Sequence, residues 1–211
     1  MSNEYATTAE LKAQLGGTIT DTVDDVTLGI ANEAAARAVD AWCGRRFYKD
    51  ATATARLYRP PDDRTVLDVQ DFWDSTTLIV ETDENNDATF ETTWAAADYQ
   101  LEPLNAAALG RPYRQIVASY TRIWPVCGVR ATVRITAKWG WTAVPADVKQ
   151  ASLIEAARIW KRRYSPEGVL GGFSDFGPVR VSRFDDPEVL RLLGPFRLGG
   201  EFVGPSSLRI R

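Results

Sequence analysis

Residues 139–163 read Trp-Gly-Trp-Thr-Ala-Val-Pro-Ala-Asp-Val-Lys-Gln-Ala-Ser-Leu-Ile-Glu-Ala-Ala-Arg-Ile-Trp-Lys-Arg-Arg. The stretch is the end of a strand, a turn and a long helix. Just upstream, Val133, Ile135 and Ala137 alternate with Arg134, Thr136 and Lys138, the pattern of a half-buried strand. Gly140 interrupts that strand between Trp139 and Trp141. Pro145 stands where a helix begins, because its missing N–H would have no partner there. Asp147 falls in the first turn and Arg158, Lys161, Arg162 and Arg163 in the last turns, each favoured by the helix dipole. Leu153, Ile154, Ala157, Trp160 and Tyr164 recur at helical spacing and share one face, while Glu155, Arg158 and Arg162 form the wet face. Ser165-Pro166 stops the helix. At ~1.5 Å per residue the helix is about 28 Å long, the length of a core helix.

Working outward, the pattern predicts three more helices. The first lies near residues 8–15, with Thr7 or Thr8 as cap, Glu10 at capping-box distance from Thr7, and Gly16-Gly17 at its end. The second spans residues 21–43, with Leu28, Ala31, Ala35, Ala38, Val39 and Trp42 as its buried stripe. Asn32, Glu33, Arg37 and Asp40 take its other side, Glu33 and Arg37 at pairing distance, and Gly44 is the C-cap. The last helix covers residues 186–193, with Asp186 as cap and Pro187 first inside. Between the second and third helices, short strand patterns follow one another with polar turns: 52–58, 66–73, 77–82, 89–94, 98–103, 115–120 and 130–139. Such spacing predicts an antiparallel β region. Residues 104–114 read as a longer surface loop. Residues 164–178 read as a glycine-rich connector, Val179 and Val181 as a short strand, and 195–211 as a tail. The fold class is therefore α+β: helical segments 1–48 and 142–194, a β region 49–141 placed between them in the chain, and the tail.

Composition narrows the chemistry. The 211 residues include seven tryptophans, enough aromatic surface for a real core. A net charge of −3 gives no general pull toward nucleic acid. No N-terminal signal peptide and no membrane-length apolar run are expected. Two cysteines, Cys43 and Cys127, are too few for a disulfide scaffold. Above all there is no histidine. That removes Ser-His-Asp and Cys-His catalysis, histidine-ligated zinc and histidine pH switching.

Several motifs invite a sharper reading. Asp83, Asn85 and Asp87, with Glu91 beyond, have the spacing of the start of a calcium loop. Ala88 stands where the glycine belongs and Trp94 where the last glutamate belongs, so a hairpin turn is expected. The glycines of 168–177 lack the lysine and Ser/Thr of a phosphate loop. Cys43 and Cys127 could meet, but Cys43 reads as a small apolar residue at a helix end. Trp73, Trp94, Trp124, Trp139 and Trp141 could present an aromatic platform to a carbohydrate, or could be core. Asp24-Asp25 and Asp62-Asp63 are neighbouring carboxylates whose side chains point apart, which suits acid–base work poorly. The cations ending the long helix could grip an acidic partner or could simply balance its dipole. Catalytic, metal and cofactor sites are all read as none.

Taken in order, three segments carry a resemblance. They are Tyr5-Ala-Thr-Thr-Ala-Glu-Leu-Lys12, Val39-Asp-Ala-Trp-Cys-Gly-Arg-Arg-Phe47, and Trp139-Gly-Trp-Thr-Ala-Val-Pro-Ala-Asp-Val-Lys149. Together they resemble the head–tail connector (adaptor, or head-completion) proteins of tailed bacteriophages, in a longer form with an added β region. The resemblance covers the helical ends of the chain and rests on the order of the motifs. It implies a structural virion protein and not an enzyme, needing no cofactor. Such proteins form a ring, usually a dodecamer, beneath the portal protein at the neck, after assembly in the host cytoplasm. They extend the DNA channel without sequence-specific binding, touch no membrane, and dock the next neck or tail-completion protein. On that reading Arg158, Arg162, Arg163, Arg197, Phe202, Leu208, Arg209 and Arg211 would contact the portal or a neighbouring subunit, with the C-terminal tail reaching along the portal. A different reading makes the β region a carbohydrate- or ligand-binding module, and a carboxylate-based hydrolase is a third.

Overall fold

Thr7 opens the first helix, α1 (Thr8–Gln14), with a full capping box: its hydroxyl accepts from the Glu10 amide while the Glu10 carboxylate accepts from the Thr7 amide at 2.8 Å. The computed structural model describes residues 3–17, 22–126, 130–163, 169–170, 179–180 and 186–198. The connector, except for a two-residue strand, and the tail beyond Leu198 lie outside the described residues, as do Cys127, Tyr164 and Val181. The architecture is mixed α+β, and the chain divides into two compact units, residues 1–45 with 144–211, and residues 46–143.

The first unit is helical. α2 (Asp25–Cys43) starts later than its apolar period predicts, because Asp24 takes the N-cap place after a turn. Gly44 ends it in the left-handed conformation, φ 69°. α3 (Ala146–Arg162) has Pro145 at its N-cap, one place before the position predicted for it. α1 and α2 both pack on α3, and Leu11, Leu28, Ala31, Ala35, Leu153, Ala156, Ala157 and Trp160 form their core. The alanines let the helices approach closely. α4 (Pro187–Leu193) starts at Asp186, which caps through the Glu188 amide, and packs on α3.

Four side chains depart from the helical-period reading. Asn32, expected on the wet face of α2, is buried and donates to the Ala6 carbonyl. It thereby satisfies a backbone group that the apolar period cannot anticipate. Arg37 pairs with Asp40 instead of Glu33 and reaches the Asn3 carbonyl, and Tyr5 donates to Asp40. Glu155 and Arg158 are half-buried and pair with each other at 3.1 Å.

The second unit is built on β1 (Thr54–Tyr58), β2 (Val66–Thr82), β3 (Thr92–Thr93), β4 (Tyr99–Glu102), β5 (Tyr113–Ala118) and β6 (Val133–Trp139). The strands lie side by side as β1-β6-β2-β5-β4, all antiparallel, and β3 adds to β2. Where two short strand patterns are predicted at 66–73 and 77–82, the chain forms the single 17-residue β2. Its register with β6 shifts on both sides of Asp74, whose carboxylate accepts from the Thr76 amide and hydroxyl and from Lys138. These irregularities bend the strand, so one strand serves two neighbours. On β6 burial alternates strictly, with Val133, Ile135, Ala137 and Trp139 facing the core beside Leu67, Phe72, Val80, Ile116, Trp94 and Trp124. A separate two-stranded pair, β7 (Val169–Leu170) and β8 (Val179–Arg180), is antiparallel.

Candidate functional site

The cations singled out at the end of α3 meet different fates. Arg163 is held by a two-pronged pair with Asp24, 3.0 Å on each arm, and lies 3.5 Å over the Trp160 ring. This fork joins the C-terminal end of α3 to the N-terminal end of α2, so the two helices run antiparallel. Arg158 is engaged by Glu155. Lys161 and Arg162 are exposed and have no ion pair among the described residues. The basic end therefore presents two cations outward and keeps two for the fold.

Arg197 is elsewhere. Its guanidinium lies 5.4 Å over Trp42, the Leu198 amide donates to the Cys43 carbonyl at 2.9 Å, and Arg45 donates to the Phe196 carbonyl. The chain after α4 is thus pinned to the C-terminal end of α2. α2 has 19 residues. At ~1.5 Å per residue it puts about 28 Å between the basic end of α3 and the point where the tail leaves. Arg158, Arg162 and Arg163 share one end of the helical unit, and Arg197 marks the other. Phe202, Leu208, Arg209 and Arg211 lie outside the described residues. The anchoring of 196–198 had little sequence signal, since two of its contacts, the Leu198 amide to the Cys43 carbonyl and the Arg45 side chain to the Phe196 carbonyl, end on backbone carbonyls.

The acidic turn between β2 and β3 brings carboxylate oxygens of Asp83, Asp87 and Glu91 within 4.8 Å of one another. Asp83 is buried and already accepts from the amides of Asn86 and Asp87 through Oδ1 and of Ala88 through Oδ2. It closes a hairpin turn that puts Asn86 and Ala88 at positive φ. The Thr89 amide, bonding at 2.7 Å, holds the Asp87 carboxyl below its usual range.

An aromatic platform for a sugar is not offered by Trp94, Trp124, Trp139 or Trp141, all buried. Trp94 and Trp124 stack on each other at 4.2 Å and 8°. Every one of these four indole N–H groups has a partner: Thr82, the Thr65 carbonyl, the Thr54 carbonyl and Asp71. Trp73 is half-buried, with Lys49 4.2 Å and Lys138 5.2 Å from its ring centre. Cys43 is buried and free, and burial pushes its thiol up to about 12. No helix among the described residues is long and apolar enough to cross a membrane.

No family model matches the chain, and no curated protein matches it in sequence. Solved structures do. A chain in the neck of an empty gene transfer agent (GTA) particle, computed with C6 symmetry, is 22% identical over 93% of both chains, with a TM-score of 0.56. A chain in the virion of a native GTA particle is 20% identical over 93% of both chains, with a TM-score of 0.58. The likeness is one of fold. It runs through both units and not through the helical ends alone.

Proposed function

We propose that this chain is a structural protein of the neck of a phage-like particle, a head–tail adaptor that assembles into a ring beneath the portal and catalyses nothing. The observation that carries the reading is the fold likeness to chains of the GTA neck and virion over 93% of their length. The order of the helix-end motifs supports it independently. In this reading the exposed Lys161 and Arg162 serve subunit or portal contacts, and the segment leaving at Leu198 is the docking tail. DNA passes through the ring without being gripped, since many phosphate contacts would hold it.

Electron microscopy of particles from the parent genome with this gene disrupted tests the reading. Filled or leaking heads beside finished, unjoined tails are expected, and normal joined particles would overturn it. Removing residues 199–211 is the cleaner test of the tail, because 196–198 carry the bonds to the end of α2. That truncation is expected to fold normally and to attach poorly to portal.

A further inference from the structure

We draw no further inference here: the strongest candidate, the exposed apolar row of Val23, Val26 and Ile30 at the N-terminal end of α2, carries nothing, because nothing in the structure shows what covers it.

Discussion

Gly140 shows how much one residue can decide. Its φ is +99°, and a Cβ there would stand 1.8 Å from the Tyr48 carbonyl oxygen. Lys49 and Gly140 form an isolated antiparallel bridge, so the backbone must approach closely at this point. Gly140→Ala is expected to cost about 3 kcal/mol or more in urea denaturation, the range for strain at a special backbone position. Asp74 acts through charge. The Thr76 hydroxyl, then Lys138 and the Thr76 amide, lower its carboxyl to about 2, and Arg134 lowers Glu81 in the same way. A carboxyl depressed in the folded state contributes stability that is complete above its unfolded value and lost as pH falls through the folded one. Stability should therefore decline from about pH 4 toward about pH 2. Asp74→Asn should lower the melting temperature at neutral pH and flatten that acid limb. At Cys43 the raised thiol and full burial predict no reaction with a thiol reagent until the protein unfolds.

At the scale of elements, the two units hold themselves together differently. The β unit relies on a few large aromatics whose polar ends are satisfied. Trp124 is fully buried against Trp94, and Trp124→Ala should cost about 3–5 kcal/mol by denaturant titration. The helical unit relies on close contact of small residues, fastened at its ends by ion pairs: Glu10 with Lys149, Lys12 with Asp25, Asp24 with Arg163. Each pair is partly exposed and worth at most about 1 kcal/mol. Arg163→Ala should therefore destabilise modestly, while Arg162→Ala should stay within about 0.5 kcal/mol. If Arg162 serves assembly, the second variant should instead reduce incorporation into particles, read by quantifying the protein in purified virions.

For the whole molecule, the chain leaves the helical unit after Arg45 and returns at Val144. The bridge of Lys49 to Gly140 holds the two connecting segments side by side at the base of the β unit. Residues 46–143, with their own core, should fold alone, with a β-type circular dichroism spectrum and cooperative unfolding. Non-cooperative melting of that fragment would show that its core is not self-sufficient.

The sequence by itself marked the four helices, the caps at Thr7, Gly44 and Asp186, and most of the strands. Those are local matters: the Thr7–Glu10 box, Gly44, Asp186-Pro187 and the alternation of β6 depend on neighbours a few residues away. The helix-end motifs, read in order, pointed to the neck of a phage-like particle, and the chains whose fold this chain shares come from a GTA neck and a GTA virion. Tertiary structure alone decided that 66–82 is one bent strand, because it pairs with β5 and β6, both distant in sequence. It decided that Asn32 is buried, because the carbonyl that needs it belongs to Ala6. It separated Arg197 from Arg163 by the length of α2, and it left Val26 and Ile30 outside, where helical spacing records only that they share a face. Spacing fixes which residues lie together on an element; which side of that element meets the core is a question of the long-range contacts.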